Sequence, residues 1–357
     1  MVALNIVETP LFGPPFTHPT LPLAAHYIGG TSPQSSPSHY LAAIQSLVHH
    51  YRLEVQNLLP HSMNQDDERV SEKIPLVINT MGWTKGLGAD LNRKIEESVE
   101  CTHIFEFDTP FSDTAFPPAV SEYPSGAQVH TIEHIPSSMQ SSIYNAADYR
   151  TLCILSYFHA VFPRTIPEGL VQTTAQRWDV SLPLCAKRPY QVDFRVAIDK
   201  VVLAGAGFED VQPPEIGTVL NGAIVGLVSC EPGGLDEDVS PSSESSSPIP
   251  YTQGSSVPLP TLSNCFGLGL IRAITPQMSH MHLLCPLPPS QLAMSRVLVK
   301  GEVEIPVWGM LDFMSDSVDS IAGVERGKVP FLQWGKVEGI GAGKRRIRRN
   351  LMRKGQM

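Results

Sequence analysis

Apolar and polar positions along this chain follow one texture up to about residue 165 and another from Tyr190 onward. In the first part, apolar runs of strand length alternate with stretches of helical spacing. Pro22–Gly29 (PLAAHYIG) reads as a buried strand. Ser38–Leu59 follows, with Leu41, Ile44, Leu47, Val48, Tyr51, Val55 and Leu58 on one helical face. Ile74–Asn79 (IPLVIN) is a second continuous apolar run. Ala89–Val99 has helical spacing, Thr102–Phe107 (THIFEF) and Gln128–Ile132 read as strands, and Asn145–Ala160 reads as a helix ended by Pro163. Strand, helix, strand, helix, strand predicts right-handed crossovers and an α/β parallel sheet with helices on its faces. Ligands of such sheets bind at the carboxyl ends of the strands, which points to the loops beginning at Gly30 and at Asn79.

From Tyr190 the period becomes two: Tyr190, Val192, Phe194 and Val196 alternate with Gln191, Asp193 and Arg195. Thr218–Val228, Phe266–Ile274, His282–Cys285 and Val297–Ile305 are further strand candidates with no long helix between them. This half is expected to be a separate β-rich domain. Glu231–Pro260 interrupts it with eight Ser, six Pro and three Gly among thirty residues, five acids and no base. That composition buries too little apolar surface to offset ordering entropy, so it is expected to be a disordered insertion. The division is therefore 1–165, a linker at 166–189, a β-rich domain at 190–343 interrupted at 231–260, and a tail at 344–357.

Composition narrows the class. At 357 residues and 42% apolar content the chain can bury a core, which excludes wholesale disorder. Charged residues are only 17%, and 32 prolines predict many loops and short strands. The formal charge of -9 argues on its face against a nucleic-acid partner. That average hides a split, because Lys344, Arg345, Arg346, Arg348, Arg349, Arg353 and Lys354 are concentrated in the last fourteen residues with no acid. The remainder holds 19 basic against 35 acidic residues. No leader-like stretch precedes Thr9-Pro10 and no run of 18 apolar residues occurs, so a soluble, unsecreted protein with no membrane partner is expected. The six cysteines, 101, 153, 185, 230, 265 and 285, are far apart with no Cys-x-x-Cys, which suits reduced thiols and makes a zinc site improbable.

Four motifs each admit a functional and a plainer reading. His130-Thr-Ile-Glu133-His134 matches the H-x-x-E-H string of a metalloprotease class, but its surroundings read as a strand, which would put Glu133 on the opposite face from both histidines. No metal is assigned to it. Gly343-Lys344 ends a glycine-rich stretch, yet Glu338 and Arg345 stand where a Walker loop needs Gly and Ser/Thr, and no complete Walker A sequence occurs in the chain. The turn Asn79-Thr80-Met81-Gly82-Trp83-Thr84-Lys85-Gly86-Leu87-Gly88 is the most informative stretch. Trp83 can stack a nucleobase, Asn79 and Thr80 offer hydrogen-bond groups, and Lys85 offers a phosphate contact. The alternative is a packing tryptophan in an ordinary strand-to-helix turn. The basic tail reads as a nuclear localisation signal, an RNA-backbone contact or a docking arm, with a solvated charged end as the plain alternative.

The string PLVINTMGWTKGLG resembles a hallmark of the Clp-type polynucleotide 5′-hydroxyl kinases, which move the ATP γ-phosphate to an RNA or DNA 5′-hydroxyl. Leu11–His18 (LFGPPFTH), Arg150–His159 (RTLCILSYFH) and Pro330–Gly339 (PFLQWGKVEG) with the basic tail resemble the nucleolar, pre-ribosomal-RNA branch in order and rough spacing. The resemblance spans nearly the whole chain except the Ser/Pro-rich insertion. It implies a P-loop NTPase-type sheet followed by a β-rich carboxyl-terminal domain, ATP and Mg²⁺ as cofactors, an RNA 5′ end as substrate, and the nucleus and nucleolus as location. It places Thr31 and Ser32 in a clasp loop on the substrate strand, although Gln34 and Ser36 depart from other branches. Asn79, Thr80, Gly82 and Trp83 meet the terminal nucleotide, and Arg150 lies in a lid over the transferring phosphate, with Ala146 where a second lid arginine stands in the family. The basic tail would meet an endoribonuclease partner.

The family's phosphate-binding loop and its metal-binding aspartate come before the segment that opens this chain. A truncated gene model or a fragment is therefore expected, with no kinase activity in these 357 residues alone, since phosphoryl transfer rests on those groups. The alternative is a non-catalytic scaffold binding the nuclease or pre-rRNA through the β-rich domain and the arm.

Overall fold

The computed structural model describes residues 1–57, 73–83, 85–107, 126–133, 145–166, 169, 171–205, 207–235, 249–253, 257–275, 277–311, 320–321 and 324–325. Its first part holds β1 (Val2–Leu4), β2 (Thr20–Leu21), β3 (Ala24–His26), α1 (Pro37–His50), α2 (Leu87–Val99), β4 (His103–Phe107), β5 (Gln128–Ile132) and α3 (Ala146–His159). β4 and β5 pair in parallel, whereas β1 and β3 pair antiparallel. α1 runs into a π-helical turn at Tyr51–Val55, and Ile44 and Val48 pack against Ile95 of α2. The two helices run the same way, because Arg52, just past the end of α1, donates to the Ser98 and Val99 carbonyls at the end of α2.

Ile74–Asn79 corrects an expectation, since it forms no strand among the described residues. Leu76 and Ile78 pack against the α1–α2 cluster while Val77 is 88% exposed, so the apolar run covers helices instead of filling a sheet.

α3 leads into β6 (Ala160–Val161), followed by β7 (Thr173–Thr174) and β8 (Arg177–Trp178). β7 and β8 fall in the expected linker and tie it down, pairing with β2 and β6 respectively. The second part comprises β9 (Tyr190–Asp193), α4 (Phe194–Ala197), β10 (Lys200–Leu203), α5 (Ile216–Leu220), β11 (Ile224–Cys230), β12 (Tyr251–Gln253), β13 (Ser263–Ile274), β14 (His280–Leu284), α6 (Pro289–Met294) and β15 (Val297–Lys300), then the hairpin of β16 (Ser320–Ile321) and β17 (Val324–Glu325). Seven strands form one sheet in the order β12-β10-β15-β11-β13-β14-β9. β12 and β15 flank β10 in parallel, and the other pairs are antiparallel.

Several boundaries differ from the sequence reading for identifiable reasons. β9 stops at Asp193 because its carboxylate accepts from the Arg195 amide and starts α4. The run at Thr218–Val228 divides into α5 and β11. Residues 249–253 of the expected insertion are ordered: Ile249 is fully buried in the main core and β12 extends the sheet.

The two parts pack directly on each other. Tyr27 lies over Gly226 of β11, where a Cβ would stand 2.7 Å from the ring. The Asn264 side chain accepts from the Ala25 amide at 3.0 Å, and Ser46 donates to the Pro260 carbonyl at 3.0 Å. α3 spans the junction, with Ser156 donating to the Phe16 carbonyl and Tyr157 bonded to Leu268. Among the described residues no helix is long and apolar enough to cross a membrane.

Candidate polynucleotide-binding site

Because α1 and α2 lie side by side in the same direction, their preceding loops come to the same end of the pair. The loop Gly30–Ser36 leads into α1, and Asn79–Gly86 leads into α2. Neither helix has a side-chain cap on its first amides: Ser36 and Gly86 occupy the capping positions without such a bond. Pro37 opens α1 and carries no N–H, so the leading amides are those of Ser38 and His39 on α1 and of Leu87 and Gly88 on α2, at the positive ends of both dipoles. That is an environment for an anion such as phosphate.

Each loop is locally built. The Ser32 hydroxyl accepts from the Gln34 amide at 3.3 Å, starting a 3₁₀ turn at Pro33–Ser35. In the second loop Gly82 has a φ of +72°, a left-handed turn that favours glycine. Trp83 folds back over the start of α2. The Asn92 side chain donates to the Trp83 carbonyl at 3.2 Å, and Gly88 leaves the space that the Trp83 Cβ occupies. Trp83 nevertheless remains 38% exposed, and Asn79, Thr80 and Lys85 are exposed beside it. The tryptophan is positioned by α2 without being consumed in a core. On the first turn of α1, burial lowers the His39 pKa against a weaker opposing bond to the Tyr27 backbone. Its imidazole is neutral at pH 7, so the positive character here comes from helix amides and Lys85.

The structure brings Thr31, Ser32, Asn79, Thr80, Gly82, Trp83 and Lys85 to one end of the α1–α2 pair. Arg150 is exposed on the first half of α3 and makes no hydrogen bond or ion pair among the described residues. The Lys344–Lys354 arm, Thr84 and His134 lie outside the described residues. His130 sits on β5 as expected, its Nε2 3.1 Å from the His103 Nδ1. Among the described residues no group of three or more His, Cys, Asp or Glu could hold a metal ion. No complete Walker A sequence occurs in the chain either.

Sequence reading missed Arg52 and Asn92, which orient the helices and the tryptophan, and Lys300, buried at the end of β15. Lys300 had a signal: a lysine ending an apolar strand directly before a glycine.

Residues 1–160 match the family model for the P-loop of the mRNA cleavage and polyadenylation factor CLP1. The chain is 35% identical over 389 residues to the polynucleotide 5′-hydroxyl-kinase GRC3 of Cryptococcus neoformans, covering 99% of this chain and 50% of that protein. To the polynucleotide 5′-hydroxyl-kinase grc3 of Schizosaccharomyces pombe it is 26% identical over 385 residues, covering 99% of this chain and 48% of that one. The chain thus spans about half the length of these relatives. A solved structure of the extended interface between Pcf11p and Clp1p is 14% identical with a TM-score of 0.39, covering 79% of this chain and 56% of that one, a likeness too distant to carry an argument.

Proposed function

We propose that this chain, homologous to the Clp1-type P-loop polynucleotide 5′-hydroxyl kinases, carries the polynucleotide-facing part of an RNA 5′-hydroxyl kinase of nucleolar pre-ribosomal-RNA processing. The observation that carries the reading is the pair of uncapped helix starts with the half-exposed Trp83 between exposed polar residues. In this reading the terminal base stacks on Trp83, and Asn79, Thr80 and Gly82 border it. Lys85 and the leading amides of α1 and α2 meet phosphates. Thr31 and Ser32 hold the strand from the other loop, and Arg150 serves as the lid arginine over the transferring phosphate. The arm from Lys344 to Lys354 docks an endoribonuclease partner.

ATP with Mg²⁺ is the phosphoryl donor pair of this reaction class, and no complete Walker A sequence to hold it occurs in these 357 residues. Kinase activity is not expected of them alone. The basic arm Lys344–Lys354 supports a second reading, a non-catalytic scaffold that binds a nuclease through that arm.

The test is fluorescence anisotropy of a 5′-hydroxyl oligoribonucleotide with the 357-residue chain. Trp83→Ala is expected to weaken binding by at least about fivefold, the loss of one stacked base at roughly 1–3 kcal/mol. Equal affinity for both proteins sinks the stacking role. No RNA binding, together with nuclease capture that is lost when 344–357 are deleted, establishes the scaffold instead.

A further inference from the structure

Lys300 is 3% exposed at the carboxyl end of β15, a costly place for an ammonium group. Its Nζ donates to the Gly301 carbonyl at 2.6 Å and lies 5.5 Å from the centroid of the Phe208 ring. The amide of the same peptide unit, Glu302 N–H, donates to the Gly29 carbonyl at 2.7 Å. One peptide plane therefore links the ammonium to the root of the Gly30–Ser36 loop, and a charge on its carbonyl side strengthens the bond on its amide side. The crossing is tight, for a Cβ on Gly301 would overlap the Gly29 backbone. The preceding peptide unit is held as well, since the Ala204 amide donates to the Lys300 carbonyl at 2.8 Å.

Removing Lys300 alone leaves the Gly301 carbonyl without this donor, although the ammonium itself is costly to keep out of water, so the two effects oppose each other in the fold's stability. Burial lowers the Lys300 pKa, opposed by the Glu304 carboxylate.

We propose that Lys300 is a positioning residue: through the Gly301–Glu302 peptide it fixes the Gly29 carbonyl and thereby sets the loop carrying Thr31 and Ser32 for a polynucleotide 5′ end. The consequence for binding rests on the function proposed above, whereas the positioning itself does not. The β-rich part is thus a working component of the binding surface, reaching across the junction to the loop that opens α1.

The test uses the 357-residue chain with Lys300→Met, Lys300→Arg and Phe208→Leu. Hydrogen exchange over residues 29–36 and anisotropy with a 5′-hydroxyl oligoribonucleotide are read beside the thermal midpoint. Lys300→Met is expected to change the midpoint only modestly, to speed exchange over 29–36 about tenfold, and to weaken oligonucleotide binding about fivefold. Lys300→Arg restores both. If Lys300→Met does not fold, Phe208→Leu, which loosens the ammonium at a partly exposed position, reports the same exchange change on a smaller scale. Unchanged exchange in a folded variant overturns the positioning. Faster exchange with unchanged oligonucleotide binding upholds the positioning and overturns the 5′-end reading.

Discussion

The Tyr157 hydroxyl donates to the Leu268 carbonyl at 3.1 Å and accepts from the Leu268 amide at 3.0 Å. β14 pairs with β13 only from Leu270 onward, so this one side chain from α3 satisfies a peptide edge that no strand covers. Tyr157→Phe leaves both peptide groups without that partner and is expected to cost about 1–3 kcal/mol. Urea unfolding measures it, and an unchanged midpoint shows that the groups find other partners.

Gly226 faces the Tyr27 ring at the junction of the two parts, and a Cβ there would come within 2.7 Å of it. Gly226→Ala forces the ring off the sheet and is expected to destabilise by about 1–3 kcal/mol. A single lowered transition is the expected melt, since both parts share the contact. Two separate transitions would show that they unfold independently.

His26 is buried, and its Nδ1 has no hydrogen-bond partner. Burial first, then the nearby His39 and His50, lower its pKa from 6.5 to about 4. A folded pKa below the unfolded one gives stability that is fully present above about pH 6.5 and is lost as pH falls toward 4, on the order of 3 kcal/mol in all. The slope of stability between pH 6.5 and 4.5 is expected to flatten in His26→Leu. An identical slope assigns the loss to other groups.

Gly88 lies under Trp83, where an added Cβ would overlap the Trp83 Cβ and stand 2.9 Å from its carbonyl oxygen. Gly88→Ala should lift the loop off α2, shift the Trp83 fluorescence, and weaken 5′-hydroxyl oligonucleotide binding with little change in the melting midpoint. Unaltered fluorescence and affinity would show that the loop accommodates the methyl group without moving.

The readable part of this fold is the part whose pattern is local. Leu41, Ile44, Leu47 and Val48 share a helical face whatever they pack against, and α1 forms over them. Tyr190 and Val192 alternate with polar neighbours, and β9 follows. Pairing is different, because it depends on what lies alongside. Ile74–Asn79 has the composition of a buried strand but lies against helices, and Ile216–Leu220 is helical within a run that reads equally as strand. Ile249 and Tyr251 look like part of a Ser/Pro-rich insertion until β10 offers them an edge. The Asn79–Gly88 loop was legible because its residues carry chemistry in sequence order. The end it shares with Thr31 and Ser32 was legible only as topology, and the peptide linking Lys300 to Gly29 depends on a crossing of segments 271 positions apart.

The order β12-β10-β15-β11 has a consequence for synthesis on the ribosome. β10 is complete at Leu203, yet its two neighbours end at Gln253 and Lys300. A nascent chain that has emerged only as far as β11 holds a central strand with both edges bare, and Gly29 still lacks the amide that anchors it. Such non-local closure is slow and leaves strand edges open to other chains. Translation past residue 302 is therefore the step that commits the protein to its native sheet, and chaperone dependence is expected to be concentrated in the interval before it.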